Sequence, residues 1–379
     1  MSTTVKKLQV TYNPVNERNT FTNGDVVCGQ VTLEAAKDFQ IDSLYVKFKG
    51  KAEVLWTERH GQTTHVYHSK DKYFSVRQYF VQDKKAKDDK TILLMNKDSE
   101  TYPSVVAPGI HVYPFSFQFP HEDMPSSFKG ADGKIVYLLE VRLSRSMRLD
   151  KTESTTINFV AKPNLGPISG LMTPQHESKD KKMKLFNSGA VGMDVRLEKS
   201  GFFQGEGLKV LLFVKNDSSR EIKPKYCVYR KHSFFARGKR RVHTKDLIKE
   251  VGAPVPPSAS ENITQVLPVP PDMEPSILNC SNIKAEHRLR VYLDVKYASD
   301  PEIKFDIVIL PGFPVPAVPA VATAPAAAPA FGYEPFGNPN PPVWGFAPPP
   351  PAAPQPSDPP PPYGAYELYP PLNDFANKY

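Results

Sequence analysis

The chain has 379 residues, of which 40 are proline and only three cysteine, and it carries a formal net charge of +8. Three cysteines (Cys28, Cys227 and Cys280) are too few, and odd in number, for a disulfide framework, which points to a reducing cytosolic setting. No stretch reaches the about 18 consecutive apolar residues of a membrane span, and the opening MSTTVKKLQV lacks the apolar run of a signal peptide.

Charge and proline are unevenly spread. The last 67 residues hold 21 of the prolines and a net charge of −3, which leaves +11 on residues 1–312. A basic body of this kind suits nucleic acid, anionic lipid or an acidic partner, or is simply a solvated surface.

From the N-terminus onward the apolar residues recur with a period of two. Leu44, Val46, Phe48, Ala52 and Val54 alternate with Tyr45, Lys47, Lys49, Lys51 and Glu53, the pattern of a strand with one face on a core and the other in water. Phe115, Phe117 and Phe119 repeat it, as do Leu289, Val291, Leu293, Val295 and Tyr297. Cys28 falls at a mid-strand position where a small buried hydrophobe is expected. Only TKDLIKEV (244–251) suggests a turn or two of helix. Frequent Gly, Pro and Asn between short apolar runs predict antiparallel sandwiches.

The two halves echo each other. FTNGDVVCGQVTLE (21–34) is answered by FFQGEGLKVLLFVKN (202–216), each with an aromatic, a Gly-acid pair and then a strand. PSSFKGADGKIVYLLEV (125–141) is answered by PSILNCSNIKAEHRLRVYLDV (275–295), with Val-Tyr-Leu taken as the shared register. A Gly-acid pair supplies a left-handed backbone position and a side chain that caps its own turn. The expected organisation is all-β: one sandwich over 1–162, a linker over 163–182, a second sandwich over 183–312 and a disordered Pro/Ala-rich tail over 313–379. That tail has too little apolar surface to offset the entropy of ordering it.

Gly24-Asp25 followed by Gly29, the strand running from Gly50 to Trp56, PGIHVYPFSFQFP (108–120) and PSSFKG (125–130) with Tyr137 together resemble the arrestin domain-containing proteins, or α-arrestins, over residues 5–312. The resemblance implies two immunoglobulin-like, arrestin-type β-sandwiches in tandem. It also implies a scaffold for protein contacts with no active site.

The residues themselves offer little chemistry. His60, His65 and His68 cluster in ERHGQTTHVYHSKDK, which reads as a polar hairpin tip with no cysteine to complete a zinc set. There is no Gly-x-Ser-x-Gly elbow, phosphate-cradling loop or His-Glu-x-x-His. No catalytic residue, metal ligand or cofactor is therefore assigned. ARGKRRVH (236–243) offers Arg237, Lys239, Arg240 and Arg241 as a basic contact patch. Without a recognition helix or stacking motif beside it, nucleic acid is not the expected partner.

The tail carries the one sharp motif. Pro360, Pro361, Pro362 and Tyr363 match Pro-Pro-x-Tyr. In a polyproline II helix of three residues per turn, Pro360 and Tyr363 lie on one face, as an aromatic-lined WW groove requires, and proline has already fixed φ. The family resemblance implies that HECT-type ubiquitin ligases with WW domains read it. Relatives often carry two such motifs; here NPPVW (340–344) has Trp344 where tyrosine would stand, so only one is intact. A single motif implies an affinity on the order of micromolar. The stretch from Phe313 to Pro360 spans about 40 Å as a coil and roughly 145 Å fully extended. Tyr369 and Leu372 also match a Tyr-x-x-apolar sorting signal.

Three functions follow as expectations. The first is an adaptor that links receptor or transporter cargo to WW-domain ligases and promotes its ubiquitination, endocytosis and endosomal sorting. It would be cytoplasmic and recruited through its partners to the plasma membrane and endosomes. The second is an arrestin-fold trafficking scaffold that works without a ligase. The third, a transcriptional tail on a nuclear protein, rests only on GKRR (238–241).

Overall fold

The period-two runs at 44–54, 115–117 and 289–293 become strands in the computed structural model, which describes residues 4–82, 92–162, 168–182, 189–295 and 300–312. The first sandwich sets a small sheet of β1 (Val5–Tyr12), β3 (Val26–Ala35) and β9 (Gly109–Gln118) against a larger one. The larger sheet runs β2 (Thr20–Phe21), β12 (Lys151–Phe159), β11 (Gly133–Ser144), β5 (Ser43–His60), β6 (Thr63–Val81) and β7 (Ile92–Leu93). A short β10 (Phe128–Lys129) adds to β11, and β4 (Phe39–Gln40) pairs with β8 (Val105–Val106).

A helical turn, α1 (Ile168–Leu171), and β13 (Gln175–Lys182) follow. In the second sandwich β13, β14 (Ala190–Leu197), β16 (Gly207–Asn216) and β19 (Ala259–Pro268) form one sheet. The other runs β15 (Gly201–Phe203), β21 (Glu302–Leu310), β20 (Ile283–Asp294), β17 (Lys223–Ala236) and β18 (Lys239–Val251). Residues 175–182, expected within a linker, are thus a strand hydrogen-bonded along its length to β14. The described residues of both sandwiches belong to one compact unit.

Alternation gives the core directly. Leu44, Val46, Phe48, Ala52, Val54 and Trp56 of β5 are buried, and Phe115, Phe117 and Phe119 meet them from the opposite side. Phe48 touches Phe119 edge-on at 4.8 Å between ring centres. The Leu, Val and Phe side chains among them each contribute about 1.5–3 kcal/mol by leaving water.

Two local readings need correction. Residues 244–251 are not helical but belong to β18. A bulge opposite Val228 and Tyr229 skips Leu247, so Leu247 and Ile248 both pack on the core. The adjacent apolar pair that imitates a helical spacing is a bulged strand. Cys28 is exposed, with its Sγ 3.7 Å from the Ser116 hydroxyl on β9. It lies on the outward face of β3, between the outward Val26 and Gln30, while Val27 and Val31 point in.

The duplication is visible bond by bond. Gly24 (φ +82°) and Gly205 (φ +83°) take the left-handed turn. The next residue caps it: the Asp25 carboxylate accepts the Thr22 N–H at 2.8 Å, and that of Glu206 the Phe203 N–H at 2.8 Å. This corner carries the chain from one sheet to the other. Beyond the corner, Phe119 N–H reaches Asp25 O at 2.8 Å and Val269 N–H reaches Glu206 O at 2.9 Å. Ser127 and Ser276 correspond as well, their hydroxyls accepting the N–H of Phe159 and Ile309 at 2.9 Å.

The Val-Tyr-Leu match between the halves is out of register. Tyr137 lies opposite Ile157 and His287 opposite Ile307, so the partner of Tyr137 is His287 and not Tyr292. Five positions is an odd number, which turns Tyr292 to the outer face; there Arg290 lies 4.8 Å from its ring centre.

Candidate functional site

The seam between the sandwiches gathers polar and aromatic side chains from both. Phe234 on β17 reaches from the second sandwich into the core of the first and is fully buried there. Room for it comes from glycine. A Cβ on Gly130 would lie 2.7 Å from its ring and one on Gly133 2.9 Å away. Phe128 packs beside it and meets the His232 ring edge-on at 5.0 Å.

Charge closes the seam on both sides. Glu274 holds Arg230 and His232, each at 2.8 Å, with the His232 side chain 7% exposed. Across the sandwiches, Asp132 takes His243 at 2.5 Å and Arg241 at 3.5 Å. Tyr73 donates to Cys280 Sγ at 3.3 Å, Ser281 to Asp71 at 2.8 Å and Asn279 to Asp123 at 2.8 Å. Burial, followed by the contact with Cys280, pushes the Tyr73 phenol up, so it remains a donor. PSSFKG, which carries part of the family resemblance, contains the short strand β10, which bears Phe128 and leads directly to Gly130. Asp132, His243, Glu274 and His232 were not singled out from sequence, because two loops, at 132 and 274, meet the β17–β18 hairpin only in the fold.

The basic run at 237–241 does not form one patch. Arg237 (φ +49°) and Gly238 (φ +72°) make the two-residue turn between β17 and β18. Arg240 donates to the Ser233 hydroxyl at 2.8 Å and lies 5.4 Å from the Phe235 ring centre, while Arg241, on the other face, turns to Asp132. Strand alternation divides what the sequence presents as contiguous. Pro360, Pro361, Pro362, Tyr363, Tyr369 and Leu372 lie outside the described residues.

Little here points to reaction chemistry. Among the described residues no group of three or more His, Cys, Asp or Glu could hold a metal ion. His60 and His65 face each other across the β5–β6 hairpin at 5.3 Å between ring centres, and His68 contacts Glu53 at 3.3 Å. Burial first, and then Asp246, raises the Cys227 thiol, which keeps it protonated and a poor nucleophile. A cleft of about 660 Å³ opens between the sandwiches, lined among others by Phe21, Ser126, Phe159, Gln204 and Pro275, and by Gly312. No helix among the described residues is long and apolar enough to cross a membrane.

Comparison with known proteins places this geometry. Residues 8–165 match the family model described as arrestin (or S-antigen), N-terminal domain, and residues 187–312 match that for the arrestin C-terminal domain. Arrestin domain-containing protein 4 of Mus musculus is 25% identical over 308 residues, covering 80% of this chain and 72% of its own. The Homo sapiens protein of the same name is 25% identical over 310 residues, covering 80% and 71%. Thioredoxin-interacting protein of Pongo abelii is 24% identical over 297 residues, covering 77% and 71%. With two arrestin domains in tandem and these relatives, the chain belongs to the arrestin family, in its α-arrestin branch.

Proposed function

We propose that this α-arrestin is a non-catalytic adaptor that joins membrane-protein cargo to WW-domain HECT ubiquitin ligases. The tandem sandwiches hold the cargo, and the segment 313–379 is the tether that presents Pro360–Tyr363 to the ligase. The observation that carries the reading is the Pro-Pro-x-Tyr motif behind a double arrestin body. Ubiquitination of the cargo would then direct its endocytosis and endosomal sorting. The protein works in the cytoplasm and is recruited to the plasma membrane and endosomes, and Tyr369 and Leu372 supply a second sorting contact. Without a second intact motif, binding to one WW domain is about micromolar.

The test is Tyr363→Ala in the full chain. Capture of WW-domain ligases is expected to be lost while the thermal unfolding of the body is unchanged. Undiminished capture would overturn the adaptor reading. Deletion of residues 313–379 that left cargo ubiquitination unaltered would favour a scaffold acting without a ligase.

A further inference from the structure

A dense positive face lies far in sequence from the basic run at 237–241. It is the outer face of the larger sheet of the first sandwich. On β5 the residues pointing out are Lys47, Lys49 and Lys51, and directly across on β6 stand Arg77, Ser75 and Lys72. Two like-charged pairs, Lys47 with Arg77 and Lys51 with Lys72, thus face each other on neighbouring strands, an arrangement that is unfavourable on its own. One position further, Lys70 stands opposite Glu53.

Two carboxylates offset part of this charge. Glu140 on β11 takes Lys49 at 2.7 Å, and Glu53 takes Lys51 at 2.5 Å. On the β5–β6 ribbon six cations thus stand beside two carboxylates, and Lys134 on β11, opposite Glu53, adds a further cation. A bulge keeps it together: β6 shifts register between Gly50 and Lys51, so Tyr73 and Phe74 both turn inward while Lys72 stays out. Lys47 shows the crowding. Burial first, and then Arg77 and Lys49, hold its ammonium below the usual lysine range, with Lys72 adding to the effect against the pull of Glu140.

We propose that this face docks on an anionic phospholipid surface. Its cations form two rows on a sheet, with neighbours roughly 5 Å apart across strands and about 7 Å apart along them. Such a layer spans several headgroups. A single extended acidic peptide would lie along only one row. Five of the six cations are lysines, hydrated point charges suited to diffuse attraction, whereas tight recognition of one phosphate favours the arginine fork. The inference goes beyond the adaptor reading, since it assigns direct membrane contact to the body itself and holds without the tail.

Sedimentation of the full-length protein with vesicles tests it, comparing phosphatidylcholine alone with phosphatidylcholine plus phosphatidylserine at about 0.1 M salt. Binding to the phosphatidylserine vesicles alone is expected, falling steeply as salt rises. Lys47→Gln with Lys51→Gln and Lys72→Gln should weaken it by roughly tenfold or more. Glu53→Gln should strengthen it, a change of opposite sign that no folding defect would mimic. Arg237→Gln with Lys239→Gln should leave it unchanged. The proposal is overturned if the wild type ignores phosphatidylserine, if the triple variant, folded by circular dichroism, still binds it fully, or if these lysines capture soluble poly-glutamate but no vesicle.

Discussion

Tyr137 on β11 and His287 on β20 occupy the same place in the two sandwiches, each opposite an isoleucine of the next strand and each almost wholly buried. The Tyr137 hydroxyl donates to the Pro125 carbonyl at 2.6 Å, whereas His287 Nδ1 lies 2.9 Å from the Ser276 hydroxyl. One sandwich thus closes this corner with a phenol, which stays protonated, and the other with an imidazole that must stay neutral.

The second sandwich should therefore be the acid-sensitive one. Burial pushes His287 down to about 4, with Glu274 opposing and Arg230 and His232 adding to the effect. An unfolded histidine takes up its proton near about 6.5, so the unfolded state binds more protons between those values. Stability is full above that window and falls as pH drops through it, by about 3 kcal/mol for this group alone. Urea unfolding from about pH 7 to 4.5 should show this slope, and His287→Gln should flatten it.

The repeated corners give a comparable pair of substitutions, although Glu206 also pairs with Lys199. Asp25→Ala removes the acceptor for Thr22 N–H, and Glu206→Ala that for Phe203 N–H. Each should cost about 1 kcal/mol, and the double variant about the sum, since the sites share no partner. Denaturant midpoints of the three variants would check it; a cost for Asp25→Ala well above that for Glu206→Ala would mean that the corners are not mechanically alike, since it is Glu206 that has a further partner in Lys199.

Thiol labelling should separate the cysteines cleanly. Cys28 is exposed, while Cys227 and Cys280 are buried. Maleimide added to the native protein is expected to modify Cys28 alone among the described residues, with Cys227 and Cys280 following only in denaturant. Mass spectrometry of the digested protein reads the sites. Early modification of Cys280 would indicate that the seam opens readily.

Phe234→Ala should be far more damaging than truncation of a surface residue. It empties the socket made by Gly130 and Gly133 and removes the ring that Phe128 packs against. A loss of about 3–5 kcal/mol is expected. Calorimetry should then show two transitions where the wild type shows one, as the coupling between sandwiches weakens.

Much of the fold was legible in residues such as Phe48 and Phe117, because burial on one face of a strand imposes a period of two. Legibility failed where that period breaks or where it has no reference. Leu247 beside Ile248 imitates a helix because a bulge inserts one residue. Cys28 carries too little polarity to declare its face. Val136-Tyr137-Leu138 matched Val291-Tyr292-Leu293 by letters, although strand pairing aligns Tyr137 with His287. The candidate surfaces were harder still. Lys47 and Lys72 become neighbours only through the register of the β5–β6 hairpin, and Asp132 and His243 only through packing of a loop on β18, whereas the contiguous run at 237–241 is dispersed by alternation.

The insertion of Phe234, Ile277 and Ile283 into the core of the first sandwich has a consequence during synthesis. Residues up to 162 leave the ribosome well before these three, so the nascent first half carries an unfilled hydrophobic socket for as long as translation of the second half lasts. Whatever shields that socket in the interval, whether a chaperone or transient collapse, determines how much of the newly made chain survives.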